Sequence, residues 1–89
     1  MAPSPIVIDD RNWLGVLTGT FDMIVIPKRD YTVFRPRNEG YFIASYYPED
    51  CLLSFYVHEK DRPIPARIKN KCRLYFENQG NLISKVEVV

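Results

Sequence analysis

The chain has 89 residues, enough for one small domain, and its formal charge of +1 excludes a strong overall attraction to nucleic acid or to an anionic membrane. Hydrophobic residues make up 46% of the chain and aromatic residues 13%, a density that excludes long disorder. No apolar run is as long as a transmembrane helix, and the first residues lack the basic and apolar segments of a secretory signal. We therefore expect a single domain over residues 1–89, intracellular (cytoplasm or nucleus) and away from membranes.

Runs of apolar, β-branched and aromatic residues, separated by short turn-forming clusters, predict strands along the whole chain. In chain order, the predicted strands cover residues 6–8, 13–17, 20–26, 31–35, 41–47, 51–58, 66–77 and 82–89. For the second of these, the alternative is a short helix that starts after Asp9 or Asp10, because Asp is favoured at helix N-termini. Connections of three to five residues predict consecutive antiparallel hairpins. The predicted fold is all-β and mainly antiparallel, a small sandwich or barrel built from consecutive hairpins with about six to eight strands.

The residues that could support catalysis or metal binding are few. Cys51 and Cys72 are too few for a disulfide framework, so we expect both to be reduced, with a single disulfide in a secreted chain as the alternative. His58 is the only histidine, and Cys51 lies seven residues before it, on the opposite face of a regular strand. A Cys72–His58 pair is the one arrangement left for nucleophilic catalysis. We expect no enzymatic activity, no cofactor and no metal.

A basic stripe occupies alternate positions of the predicted strand at residues 66–77. Because strand side chains alternate between faces, one face of that strand would carry four cations, Arg67, Lys69, Lys71 and Arg73. This pattern is typical of a surface that contacts the phosphates of RNA or single-stranded DNA, and Tyr75 and Phe76 could stack on bases. The alternative is that the cations protect an edge strand against aggregation, or pair across strands with the neighbouring acids Asp61, Glu77 and Glu87.

Aromatic residues are concentrated in the predicted hairpin of residues 41–47 and 51–58. A domain of this size has little material to cover both faces of the hairpin, so we expect some of the tyrosines on its second face to be exposed. The alternative is that the fold covers both faces. Exposed tyrosines are typical of protein interfaces, and the candidates are Tyr41, Tyr47 and Tyr56. An uncapped edge at residues 82–89 could also pair with a strand of a partner.

These patterns favour a non-catalytic protein-interaction module or small complex subunit, in a hetero-complex or a homodimer, that uses exposed aromatic residues or an edge strand. The first alternative is nucleic-acid binding through the basic stripe at residues 67–73. The second is a small inhibitor protein that acts by blocking another protein.

Four segments also resemble the central sheet of an SH2 domain: residues 40–45, 53–55, 67–68 and 74–76. The resemblance places the phosphate-binding arginine of that family at Ser45 and its later histidine at Pro65. The first helix of the family would fall at residues 18–34, which have a β pattern. The resemblance therefore implies an SH2-like module without phosphotyrosine binding.

Overall fold

A computed structural model describes residues 4–37, 42–56, 62–80 and 82–89. In this part of the chain there are eight strands, one α-helix and one short 3₁₀-helix. In chain order they are β1 (Ile6–Ile8), α1 (Trp13–Thr20), β2 (Met23–Pro27), β3 (Thr32–Pro36), β4 (Ile43–Tyr47), the 3₁₀-helix Pro48–Asp50, β5 (Leu52–Tyr56), β6 (Ile64–Arg67), β7 (Cys72–Glu77) and β8 (Leu82–Val88).

The larger sheet has five strands in the order β2-β3-β4-β5-β6, and each strand is antiparallel to the next. Successive strands are neighbours because their connections are short. At the first connection, the Lys28 N–H donates to the Tyr31 carbonyl at 2.8 Å. The 3₁₀-helix makes the connection between β4 and β5, and Cys51 closes it with a left-handed φ of 47°.

The smaller sheet has three antiparallel strands in the order β1-β7-β8. The chain begins in this sheet, crosses through α1 into the five-stranded sheet, and returns at the end of β6. A register shift at Tyr75 and Phe76 interrupts the pairing of β7 with β8. With all pairs antiparallel and strands arranged in two sheets, the all-β antiparallel architecture predicted from the sequence is confirmed.

The core lies between the two sheets and α1. On the five-stranded sheet it is formed by alternate residues of the central strands, and Leu53 and Phe55 are fully buried. On the three-stranded sheet Leu74 is fully buried too. Aromatic contacts join the layers: the ring centroids of Trp13 and Phe34 are 5.3 Å apart, edge to face. This contact anchors α1 to the five-stranded sheet.

The strand predicted at residues 13–17 is wrong, and the alternative of a short helix is confirmed. Hydrogen bonds of Asp9 fix the turn that precedes the helix. Its side chain accepts hydrogen bonds from the N–H groups of Arg11 (2.9 Å) and Asn12 (3.0 Å). Its own N–H donates to the Asn12 side chain at 2.8 Å. Helical spacing then places Trp13 and Leu17 on one buried face. The apolar residues that suggested a strand are therefore one stripe of a helix.

The single strand predicted at residues 66–77 is also wrong. The chain leaves the five-stranded sheet after Arg67 and joins the three-stranded sheet at Cys72. Ile68 stays fully buried at the crossing, where its N–H donates to the Cys51 carbonyl at 3.2 Å. Asn70 turns the chain, and its N–H donates to the Arg67 carbonyl at 3.1 Å. Asn is favoured in turns, and no apolar residue between Ile68 and Cys72 holds the segment to either sheet.

Burial of Leu74 should contribute strongly to stability, because its side chain lies in the core, fully buried, on the central strand of the three-stranded sheet. We expect Leu74→Ala to lower the free energy of unfolding by about 2–5 kcal/mol. Leu14→Ala is the matched control, since Leu14 lies on α1 and is 48% exposed; it should change the free energy by less than about 0.5 kcal/mol. Urea unfolding measures both, and equal losses from the two variants would contradict this core.

Candidate functional site

One face of the five-stranded sheet points away from the core, and we call it the outer face. A row of small and apolar side chains crosses it from edge to edge. The strand registers pair neighbours along this row as Ile26 with Val33, Val33 with Ser45, Ser45 with Ser54, and Ser54 with Pro65. None of these side chains belongs to the core cluster of the described residues. The outer face is therefore a separate surface with its own composition.

Three tyrosines stand on the outer face around the serines. The rings of Tyr31 and Tyr47 are stacked, with centroids 5.1 Å apart and planes 25° from parallel. Tyr47 and Tyr56 lie on adjacent strands and on opposite sides of the row, since Tyr47 pairs with Leu52 and Tyr56 pairs with Ile43. Side-chain hydrogen bonding with Tyr56, followed by desolvation, raises the pKa of Tyr47. The two long side chains thus converge over the small serines between them.

The serines form the floor of this tyrosine group. Ser45 and Ser54 face each other in the register of β4 and β5, and only 5% and 4% of their surfaces are exposed. Within the described residues, no buried side-chain oxygen or nitrogen lacks a hydrogen-bond partner. The hydrogen bond with Ser45 lowers the pKa of Tyr47, whereas the hydrogen bond with Tyr56 raises it.

Among the described residues, the cations of the outer face lie at its margins. Arg67 is paired with Leu52 at the β6 edge, and Arg35 is paired with Ile24 towards the β2 edge. Two strands, β4 and β5, separate these arginines, so they do not form one cation cluster. The centre of the outer face is apolar and hydroxylic, with positive charge at its rim.

The basic stripe is divided between two sheets. Arg67 ends β6, Lys69 and Lys71 lie exposed in the turn, and Arg73 lies on β7. Arg73 is paired with Glu87, its Nη1 atom 3.3 Å from the Glu87 Oε1 atom. The continuous cationic strand face predicted from the sequence is therefore wrong, although binding of an anion by these residues stays a prediction. The pairing of Arg73 with Glu87 is the cross-strand neutralisation that the sequence analysis held as the alternative.

Glu87 is the centre of a polar cluster on the outside of the three-stranded sheet. It accepts a hydrogen bond of 2.7 Å from the Tyr75 hydroxyl and lies 3.9 Å from the Lys85 ammonium, which is itself 4.6 Å from the centroid of the Tyr75 ring. The hydrogen bond from Tyr75, then the charges of Lys85 and Arg73, lower the pKa of Glu87. Tyr75 is therefore held by this cluster, and Phe76 is buried in the core, so the prediction that Phe76 is free to stack on bases is wrong.

The remaining predicted residues have different outcomes. The structure brings Tyr47 and Tyr56 together, whereas Tyr41 and His58 lie outside the described residues. β8 is an edge strand of the three-stranded sheet, as predicted, and pairing of this edge with a partner stays a prediction. Both cysteines are free thiols; burial raises the pKa of Cys72, whose Sγ atom lies 3.5 Å from the carbonyl oxygens of Arg67 and Asn70.

Two features of the outer face were missed in the sequence. Tyr31 is part of the tyrosine group, although its position after a turn had suggested only the start of a strand. The serine pair was missed too, but the sequence carries a signal for it: with the turn at residues 48–51 closed, Ser45 and Ser54 fall opposite each other. Aligning the two arms of a predicted hairpin would have found both the serines and the tyrosines at their ends.

Comparisons of this chain with known protein families, with curated proteins and with solved structures give no match. Over residues 18–34 the chain forms the end of α1, then β2 and most of β3, so the first helix of an SH2 domain is not found there. Among the described residues, no group of three or more histidine, cysteine or acidic side chains comes together as a metal site. In the same residues, no helix has the length and apolar character needed to cross a membrane.

The polar cluster makes a testable prediction about acid stability. Because the folded state lowers the pKa of Glu87, its contribution is present at neutral pH and is lost as the pH falls through the folded-state pKa. We expect Glu87→Gln to melt below the wild type at pH 7, and the two melting temperatures to converge between about pH 5 and pH 3. Glu49→Gln, on the exposed 3₁₀-helix, is the control for a lost carboxylate. A difference in melting temperature between Glu87→Gln and the wild type that stays the same at every pH would contradict this contribution of the Glu87 carboxylate.

Proposed function

We propose that this chain is a non-catalytic protein-interaction module or a small subunit of a protein complex, and that the outer face is its contact surface. The observation that carries this proposal is the tyrosine group around the buried Ser45–Ser54 pair, on a sheet face outside the core. Tyrosine gives an interface a large, rigid contact area together with a hydroxyl group, and it is enriched where binding energy is concentrated.

The composition of the outer face also defines the kind of partner that would fit. Half-buried aliphatic side chains accompany the tyrosines on this face, from the edge strand β2 to the central strands, namely Ile24, Ile26, Val33, Ile43 and Leu52. Arg35 and Arg67 stand at its rim. This arrangement resembles the apolar core and polar rim of a protein interface. The complementary surface would be apolar at its centre and acidic at its margin.

The nucleic-acid hypothesis has weaker support. Binding along a phosphate backbone needs several cations that are free to release their counterions. Arg73 is engaged by Glu87, with its Nη1 atom 3.3 Å from the Glu87 Oε1 atom. Only the exposed Arg67, Lys69 and Lys71 remain as a small basic corner, so we propose protein binding in preference to RNA or DNA binding.

Two double variants separate these functions. Tyr47→Ala/Tyr56→Ala removes the aromatic group, whereas Lys69→Glu/Lys71→Glu reverses the basic corner and leaves the outer face intact. Tagged wild type and variants are used for affinity purification from cells of the source organism, with nuclease treatment, and the retained proteins are quantified by mass spectrometry. We expect the tyrosine variant to lose its partner, with affinity reduced about ten- to a hundredfold when the purified pair is titrated.

Circular dichroism and melting curves of both variants establish that they are folded before binding is compared. The charge variant should retain the partner, since its substitutions lie in the turn between the two sheets and not on the outer face. A partner that the tyrosine variant retains as well as the wild type contradicts the proposal. If the partner is lost only from the charge variant, or only after nuclease treatment, the binding site is the basic corner and not the outer face.

A further inference from the structure

The open edge of β2 differs from the other sheet edges in the described part of the chain. β1 has only three residues, β6 contains Pro65 and Arg67, and β8 carries Lys85 and Glu87. Short length, proline and charge are the usual means of preventing strand edges from pairing with other chains. β2 has the sequence Met-Ile-Val-Ile-Pro, without any charge, and Val25 at its centre is 48% exposed. This edge is therefore suited to accept another strand.

The hydrogen bonds between β2 and β3 show which backbone groups of β2 remain free. The Arg37 N–H donates to the Asp22 carbonyl at 3.0 Å, and the Lys28 N–H donates to the Tyr31 carbonyl at 2.8 Å. In an antiparallel ladder every second residue bonds the same neighbour. The even-numbered residues of β2 thus bond β3, whereas the N–H and C=O groups of Met23 and Val25 point to the open edge, together with the Pro27 carbonyl.

We propose that β2 pairs antiparallel with β2 of a second copy of this chain, with Val25 on the two-fold axis. In this register each Val25 N–H donates to the Val25 carbonyl of the other copy, and each Met23 N–H donates to the Pro27 carbonyl. Every free donor of both edges is satisfied. Pro27 has no N–H to offer, but in this register only its carbonyl is needed.

Side chains support the same register. Asp22 falls opposite Lys28 of the other copy, and Ile24 falls opposite Ile26. Both are non-hydrogen-bonded pairs, in which side chains approach each other closely. Two ion pairs therefore flank an apolar centre. A two-fold axis at Ile24 would place Asp22 opposite Ile26 of the other copy, and the ion pairs would be lost. An axis at Ile26 would leave the N–H of Met23 outside the paired strands.

The dimer would join two five-stranded sheets into one continuous sheet and bring two outer faces side by side. This inference uses the edge of β2, whereas the proposed function uses the outer face, so either can fail without the other. Tyr47→Ala/Tyr56→Ala should leave the dimer unchanged. Interfaces that rest on one strand pair are small, so we expect a reversible equilibrium that shifts with protein concentration.

Sedimentation velocity of the full chain, from about 1 µM to about 1 mM, measures this equilibrium. The wild type should shift from monomer to dimer. Val25→Pro removes an N–H that the fold itself does not use, and it should weaken dimerisation at least tenfold while the far-ultraviolet circular dichroism stays unchanged. A monomer over the whole range, or a folded Val25→Pro variant that dimerises as tightly as the wild type, overturns the proposal.

A charge swap tests the register independently, and it decides the question if Val25→Pro does not fold. Lys28→Glu places like charges opposite Asp22 and should weaken the dimer, and Asp22→Lys/Lys28→Glu should restore it. The Asp22–Arg37 pair that the swap disturbs is exposed and contributes little to folding. Failure of the double variant to recover any of the affinity lost in the single variant overturns the register.

Discussion

Burial of one face of the five-stranded sheet is the interaction on which the rest of the molecule depends. α1 and the three-stranded sheet together cover this face, through contacts such as Trp13 on Phe34 and Phe42 near Phe76. In the described part of the chain, no further helix or sheet covers the opposite face. An antiparallel sheet can leave one face towards solvent, but such a face is then usually polar.

The outer face departs from that expectation in a specific way. Its side chains are aliphatic, aromatic and hydroxylic, and its charges lie at the rim. Ser45 and Ser54 are almost fully buried, and the three tyrosines lie around them on the same face. The rings of Tyr31 and Tyr47 are stacked on each other. The uncharged edge of β2 continues the same surface, so the face and the edge could serve two different protein contacts at once.

The sequence was sufficient for the parts of the fold that follow a period of two. Alternation in residues 51–58 puts Leu53 and Phe55 on one face and Tyr56 on the other, and the structure buries the first two fully and leaves Tyr56 half-buried. It was not sufficient where a local choice depended on tertiary burial. The residues from Trp13 to Leu17 fit a strand or a helix about equally well, and packing of Trp13 on the sheet favours the helix.

The basic stripe shows a different limit of sequence analysis. Its alternation is real, because Arg67 and Arg73 both point away from the core, but a turn at Asn70 separates them into two sheets. Alternation of side chains in a sequence indicates which of them face outwards, but it does not indicate whether the strand is continuous. The tyrosine group could be predicted in part, since Tyr47 and Tyr56 were identified from their hairpin. Their position around the serine pair follows from the strand register, which depends on the length of the turn at residues 48–51.

The central claim is that the apolar outer face is open to solvent while the inner face is buried. Solvent paramagnetic relaxation of methyl groups, measured by NMR with a soluble gadolinium chelate, tests it directly. The account predicts strong relaxation of the methyl groups of Ile24, Ile43 and Leu52 on the outer face, and protection of those of Leu53, Ile68 and Leu74 in the core. Equal protection of the two sets would show that the outer face is covered, and it would contradict the account.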